Sequence, residues 1–140
     1  MVIRGKGTVL HQMIGTVYTA VAQLISLDLP DMESETFEAD TLDNANAAIP
    51  HKGTGRTEGG SVGFEGFLDP VLASFTTLLA LLTTPPAIGS EESYKIIFAD
   101  TGTSEWAFTG AGLSIGGTVA LGDGVKFTGG IKLDGLPTFP

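Results

Sequence analysis

Hydrophobic and polar residues alternate with a period of two over much of the chain, which is the pattern of half-buried β-strands. The first such segment covers residues 16–29, and Pro30 ends it because proline cannot donate a hydrogen bond to a sheet. Six further segments are predicted as strands: 32–42, 61–68, 92–99, 105–109, 114–121 and 125–133. The pattern therefore predicts about seven strands, with one hairpin joining 92–99 to 105–109 and another joining 114–121 to 125–133.

One segment departs from this period and predicts an α-helix over about residues 70–82. Asp69 is a suitable N-cap, and Pro70 suits the first helical position, where a missing N–H is no loss. Apolar residues then recur at helical spacing: Leu72, Phe75, Leu78, Leu79 and Leu82. Because this stripe is too wide to leave in water, the helix should pack on a sheet. The expected fold class is mainly β, a sandwich or barrel of about seven strands with one flanking helix.

Two segments lack either period. Residues 1–10 carry glycines at positions 5 and 7 and are predicted to form an N-terminal arm. Residues 41–60 are predicted to form a long loop, and such loops inside compact domains are usually functional or disordered. Segments of this kind are more typical of a protein in which they become ordered by contact with a neighbouring molecule than of a monomer.

Composition narrows the function classes. The chain has 140 residues, the size of one domain, with 16 acidic against 7 basic residues and a formal net charge of −9. That balance argues against ordinary nucleic-acid binding. The absence of cysteine excludes disulfides, thiolate metal sites and thiol nucleophiles. The most apolar run, residues 71–82, is shorter than the roughly 20 residues of a membrane span. No apolar segment follows the basic N-terminus, so we expect no secretory signal.

Candidate catalytic groups are sparse. The two histidines, His11 and His51, are forty positions apart, and neither a G-x-S-x-G nor a metal-ligand spacing of histidines occurs. The glycine-rich segments 53–60 and 110–112 do not stand between a strand and a helix, as a dinucleotide-binding loop must. We interpret these glycines as hinge and hairpin residues. The sequence predicts no enzyme, no metal site and no cofactor.

Acidic residues are concentrated in residues 28–43, which hold seven acids and no base: Asp28, Asp31, Glu33, Glu35, Glu38, Asp40 and Asp43. Three interpretations are open. The acids can keep a strand face solvated and discourage edge pairing. Two of them can face a cleft as a glycosidase pair. They can also form a surface past which a polyanion slides without sticking, because like charges repel.

The order of elements and several short segments resemble the major tail tube proteins of long, non-contractile-tailed bacteriophages. These segments are KGTVL at 6–10, LDLPDM at 27–32, GFEGFLDP at 63–70, YKIIFAD at 94–100 and EWAFTG at 105–110. The resemblance spans nearly the whole chain and rests on element order and short phrases.

This resemblance implies a structural virion protein without catalysis. Members of that family form homohexameric rings that stack into the tail tube, through which DNA passes into the host without specific binding. Sheets of adjacent subunits join around the lumen. The implied partners are further copies of the chain, a tape measure protein, and tail terminator or distal tail proteins, with no membrane partner. The implied location is the phage tail of the virion, after assembly in the host cytoplasm.

The resemblance also implies roles for segments of this single domain. Contacts between rings fall on the N-terminal arm 1–10, the long loop 41–60 and a C-terminal arm 133–140. The loop residues expected at these contacts are Leu42, Asn44, Asn46, Ile49, His51, Lys52 and Arg56. The candidates for an acidic lumen are Glu33, Glu35, Glu38 and Asp40. We expect open sheet edges at the acidic strand and at the 125–133 strand.

Two other classes remain open. The chain can be a small β-sandwich that binds a sugar or peptide through exposed aromatic residues such as Trp106 and Tyr18. It can also be an enzyme that uses carboxylates of residues 28–43. Aromatic residues at strand spacing more often belong to a core than to a binding platform, which favours the structural role.

Overall fold

The computed structural model describes residues 2–21, 23–122 and 124–140. Within these ranges the chain forms nine strands and one helix. In chain order the elements are β1 (Arg4–Ile14), β2 (Val17–Ala20), β3 (Leu24–Asp28), β4 (Glu33–Glu38), β5 (His51–Glu58), β6 (Ser61–Phe67), α1 (Ala73–Thr83), β7 (Glu92–Ala99), β8 (Glu105–Thr118) and β9 (Lys126–Leu133). The fold is mainly β with a single helix, which confirms the predicted class.

Seven strands form one antiparallel sheet in the order β2-β1-β7-β8-β9-β6-β3. Strands β4 and β5 form a separate two-stranded sheet, the hairpin between β3 and β6. The predicted hairpin β7–β8 is confirmed, and so is the pairing of β8 with β9. The expectation that residues 125–133 form an open edge is wrong, because β9 lies between β8 and β6.

The core lies on one face of the large sheet, where alternate residues of its strands are buried. Phe127 of β9 joins the sheet to the helix, since its ring centroid lies 5.1 Å from that of Phe75 and 6.1 Å from that of Phe64. The buried apolar residues are Leu10, Val21, Val62, Phe64, Phe75, Leu78, Tyr94, Ile96, Phe108, Phe127, Ile131 and Leu133.

The helix packs on the sheet as predicted, but it begins at Ala73. Asp69 caps a turn before the helix: its Oδ1 accepts from the backbone N–H of Val71 at 3.2 Å, and its carbonyl accepts from Leu72 at 3.2 Å. Leu72 is extended, with φ −69° and ψ 130°, and so separates that turn from the helix. The helix has 11 residues, and no helix in the described part of the chain is long and apolar enough to cross a membrane.

The apolar stripe of the helix is narrower than the sequence suggests. Ser74, Phe75 and Leu78 are buried, whereas Leu79 and Leu82 keep 38% and 42% of their surface exposed. The helix therefore packs against the core through Phe75 and the fully buried Leu78, with the partly buried Leu81 beside them.

Two strand boundaries differ from those predicted. Residues 16–29 form two strands, β2 and β3, at opposite ends of the sheet, because Gln23 adopts φ 62° and turns the chain between them. Residues 105–118 form one strand, not two. Gly110 lies inside it, where a Cβ would stand 2.7 Å from Ile131 and 2.8 Å from Tyr94. Because Gly110 has no side chain, Ile131 and Tyr94 can pack against the backbone there, and the glycine does not form a hairpin turn.

The predicted N-terminal arm is wrong for residues 4–10, which belong to β1. Leu10 is fully buried, and β1 pairs with β7 from Arg4 to Gln12. The register shifts between Arg4 and Val9, so the glycines at 5 and 7 lie in an irregular stretch of strand. Met1 lies outside the described residues.

The predicted C-terminal arm is also folded onto its own chain. Leu133 ends β9, and Thr138 forms two backbone hydrogen bonds with Ala107 of β8, of 2.7 and 3.1 Å. The ring of Phe139 packs edge-on against Trp106, 5.1 Å away. The C-terminal segment thus pairs with β8 at Ala107, before the part of β8 that pairs with β9.

The predicted loop 41–60 is half strand, because His51–Glu58 forms β5. Every residue of β4 and β5 is exposed. A strand exposed on both faces needs no alternation of apolar and polar residues, which explains why the sequence shows no period there.

Candidate assembly surfaces

The hairpin of β4, β5 and the connecting residues 39–50 stands apart from the large sheet; we call it the acidic hairpin. Its base is fixed where the chain returns to β6, since the carbonyl of Gly60 accepts a hydrogen bond from Leu133 at 3.0 Å. A side chain at Gly60 would collide with the backbone of Asp31, so the two ends of the hairpin meet closely. None of the residues of its two strands belongs to the core.

The acidic hairpin has two different faces. Glu33 lies opposite Glu58, and Phe37 lies opposite Lys52, and residues directly opposite share a face. Glu35 joins them because it is two residues from Glu33. This acidic face holds three carboxylates and one aromatic ring, with one lysine.

The other face is more neutral. Glu38 lies opposite His51, and Ser34 lies opposite Thr57. The register shifts between the two pairs because β5 carries extra residues, with Gly55 at φ 81°. Strand β4 itself stays regular, and its outer edge is unpaired among the described strands.

The tip of the acidic hairpin is ordered by short-range hydrogen bonds. Asp40 Oδ1 accepts from the Asn44 side chain at 2.6 Å and from the backbone of Thr41 at 3.1 Å. Asn44 Oδ1 in turn accepts from the backbone of Asn46 at 3.0 Å. A hydrogen bond from Thr41 lowers the pKa of the neighbouring Asp43 carboxyl. The tip is therefore a defined turn.

The structure brings both groups of predicted site residues onto this one hairpin. Glu33, Glu35 and Glu38 lie on β4, and His51, Lys52 and Arg56 lie on β5. The tip carries the remaining five: Asp40, Leu42, Asn44, Asn46 and Ile49. Leu42 and Ile49 expose their apolar side chains there. The roles expected of these residues, ring contacts and lumen, stay predictions.

A groove lies between two ends of the large sheet. One wall is the first half of β1 with the preceding Ile3, and the other is β3 with the following Leu29. Phe98 of β7 also lines it, and its volume is about 1020 Å³. We call it the β1–β3 groove. Of the described residues that line it, only Arg4 and Lys6 are ionisable, and both are exposed.

The rim of the β1–β3 groove is apolar as well as basic. Ile3, Ile25 and Leu29 are all lining residues that keep large exposed side chains. Sequence reasoning missed this groove because its two walls, residues 3–9 and 24–29, are at least fifteen positions apart in the chain. Arg4 and Lys6, two residues apart, are the signal that was available, since two basic residues stand close together in a chain with a net charge of −9.

A third cluster surrounds His11, on β1 opposite Lys95 of β7. Lys95 Nζ lies 2.8 Å from a carboxylate oxygen of Glu105 and 4.3 Å from the ring centroid of Tyr18. Burial, and then the Lys95 charge, lower the pKa of His11 from its ordinary value of 6.5. Tyr18 is thus engaged within the chain.

The aromatic binding platform proposed for Trp106 is not free either. Its ring packs against Phe98 at 5.2 Å and against Phe139 at 5.1 Å. Nowhere in the ranges 2–21, 23–122 and 124–140 do three His, Asp or Glu side chains gather in a way that could hold a metal ion.

Comparison with solved structures finds the same fold in particle tails. A chain from the tail of an empty gene transfer agent particle, refined with C6 symmetry, has 14% identity to this one over 98% of both chains, with a TM-score of 0.72. A chain from the virion of the native gene transfer agent matches with 14% identity, 98% coverage of both chains and a TM-score of 0.68.

A third match is a chain of the anti-feeding prophage baseplate, six-fold symmetrised, with 9% identity, coverage of 91% of this chain and 88% of that chain, and a TM-score of 0.63. No model of a known protein family matches the sequence, and no curated protein matches it. At these identities the comparisons establish a shared fold along the whole chain.

Proposed function

We propose that this chain is a structural subunit of a phage-like tail, which associates with copies of itself into hexameric rings that stack into a tube. The observation that carries the proposal is the fold shared, over 98% of both chains, with a chain from a tail of C6 symmetry. The subunit acts by assembly and not by catalysis.

The exposed hairpin supports this proposal. A two-stranded hairpin on its own is only marginally stable in water. The acidic hairpin buries none of its strand residues in its own chain, and it displays Phe37, Leu42 and Ile49 to solvent. A neighbouring copy that covers these side chains would stabilise the hairpin.

Ring closure requires a head-to-tail interface, in which two different surfaces of the subunit meet. The chain offers such unlike surfaces in the acidic hairpin and in the open edges of β2 and β3. Repetition of one such contact through a fixed rotation gives a ring.

The charge of the chain suits a conduit for DNA. A net charge of −9 and an acidic hairpin would repel a polyanion at short range, screened over about 8–10 Å at physiological salt. We propose that Glu38 and Asp40, together with Glu33 and Glu35 where they are not covered by a neighbour, contribute to an acidic lumen. DNA would then pass without specific binding.

The proposed setting follows from this role. The subunit would belong to the tail of a virion, after assembly in the host cytoplasm. Its further partners would be a tape measure protein inside the tube and terminator or distal tail proteins at the tube ends.

The test is electron microscopy of the purified, concentrated chain by negative stain, with sedimentation velocity on the same sample. We expect rings or tubes with six-fold symmetry in projection. A monomer that persists at every concentration and salt tested would contradict the proposal.

A further inference from the structure

We propose that the β1–β3 groove of one copy receives the acidic face of the acidic hairpin from a second copy. The inference rests on the proposed function, because it names the contact through which the subunits associate. It defines a donor surface and an acceptor surface on the same chain, and so a head-to-tail contact.

Charge complementarity is the first reason. The acidic face places Glu33 directly opposite Glu58, with Glu35 beside them, and like charges directly opposite destabilise a strand pair. Cations supplied by a second copy would reduce this repulsion between the carboxylates. Arg4 and Lys6 supply two cations that line the groove, and no ion pair joins either of them to an acid among the described residues.

Apolar complementarity is the second reason. Phe37 lies on the same face as the carboxylates and keeps 51% of its surface exposed. The groove offers Ile3, Ile25 and Leu29, all exposed in the single copy. A ring inserted among these side chains removes apolar surface from water on both partners.

Dimensions agree with this docking. Strand β4 has six residues and spans about 20 Å at the usual rise per residue. The groove wall formed by residues 4–9 of β1 has the same number of residues. The volume of about 1020 Å³ lies at the upper end of the usual range for small-ligand pockets, about 300–1,000 Å³, and leaves room for a short length of polypeptide.

Backbone hydrogen bonds add to the contact. Among the described strands, nothing pairs with the outer edge of β3, nor with the outer edge of residues 4–9 of β1. The outer edge of β4 is regular and open in the same way. An open edge in the groove can pair with an incoming open edge, as in strand addition.

Charge reversal is the direct experiment. We compare the wild type with a groove variant, Arg4→Glu with Lys6→Glu, and a hairpin variant, Glu33→Lys with Glu35→Lys. Each variant alone should raise the concentration needed for assembly by about tenfold or more, because like charges then face each other. One chain that carries all four substitutions should assemble near the wild-type concentration.

Mixing provides a second readout. The groove variant and the hairpin variant should co-assemble when combined in equal amounts, because each then faces a complementary neighbour around an even-numbered ring. A matched control is Lys132→Glu, an exposed lysine that lies outside both the groove and the acidic hairpin. It should assemble like the wild type.

Cross-linking then locates the contact. The chain has no cysteine, so Lys6→Cys and Glu35→Cys can be made in separate copies and joined by a short bismaleimide. We expect a cross-linked dimer from the mixture and little from either copy alone.

Several outcomes would overturn the inference. If the wild type forms tubes and the groove variant does so equally well, the groove contact is wrong while the tube function stands. If the wild type does not associate at all, both are wrong. A cross-link formed within one chain carrying both cysteines, in the monomer, would show that the hairpin fills its own groove. Binding of a short DNA duplex that Arg4→Glu with Lys6→Glu abolishes would give the groove a different occupant.

Discussion

Deletion of residues 33–58, which removes the acidic hairpin, should separate folding from assembly. Glu33 and Glu58 are paired across the hairpin base, so Met32 and Gly59 are close enough to be joined directly. The deletion removes no residue of the core and no strand of the large sheet. The remaining chain should therefore fold.

The expected change in stability can be worked out from the connection between β3 and β6. This connection spans residues 29–60 in the wild type and six residues after the deletion. Loop-closure entropy scales with the logarithm of length, so the shorter connection favours folding by about 1.5 kcal/mol. The hairpin's own net contribution is close to zero, as for isolated hairpins. We expect an unfolding free energy that is unchanged or up to about 1.5 kcal/mol higher, and a Tm raised by several degrees at most.

The assay combines urea denaturation followed by circular dichroism with sedimentation velocity, beside the wild type in the same buffer. The expected result is a stable monomer that forms no tubes at concentrations where the wild type does. A loss of more than about 2 kcal/mol would show that the hairpin is part of the folded core. Normal tubes from the deleted chain would refute its role in assembly.

Two smaller changes test the folded body. Leu78→Ala should lower the unfolding free energy by about 2–5 kcal/mol, because Leu78 is a fully buried residue of the helix. Leu79→Ala, on the partly exposed flank of the helix, should lower it by well under half as much. Urea denaturation measures both changes, and equal effects would contradict the orientation of the helix. Because burial and Lys95 lower the pKa of His11 in the native state, the unfolded chain binds the proton more tightly, so stability should fall as pH drops below about 6.5. His11→Asn should flatten this dependence between pH 7.5 and 5.5, and an unchanged slope in this variant would show that another group is responsible.

The sequence predicts best those elements that bury one face. Strands β6, β7 and β9 follow their alternation almost to the residue, since Val62, Tyr94, Ile96 and Ile131 all point into the core. The helix was also predictable, although its start was set by a turn at Asp69 that competes with N-capping. An element that buries one face places its apolar residues at a regular spacing, and this spacing can be recognised in the sequence.

Elements without that constraint escape prediction. Strand β5 is exposed on both faces, and the first half of β1 is irregular around its glycines, so neither shows a period. Gly110 resembles a turn residue but serves the packing of Tyr94. The acidic residues of the acidic hairpin could be singled out by their charge. The β1–β3 groove could not, because only the tertiary fold brings β1 and β3 together.

The position of Gln23 explains why that groove exists. Strands β2 and β3 occupy the two ends of the sheet although only residues 21–23 lie between them in the chain, and three residues span about 10 Å. The two ends of the sheet must therefore lie close together where the chain crosses between them. At the crossing both ends are tied: Val21 donates to the carbonyl of Leu10 at 2.9 Å, and Phe67 donates to the carbonyl of Gln23 at 3.0 Å. Away from the crossing, β1 and β3 are not paired with each other, and the sheet stays open along the groove. The docking that we propose would fill this gap, and it requires that the sheet, closed at one end by these hydrogen bonds, keep its fold before the second copy arrives.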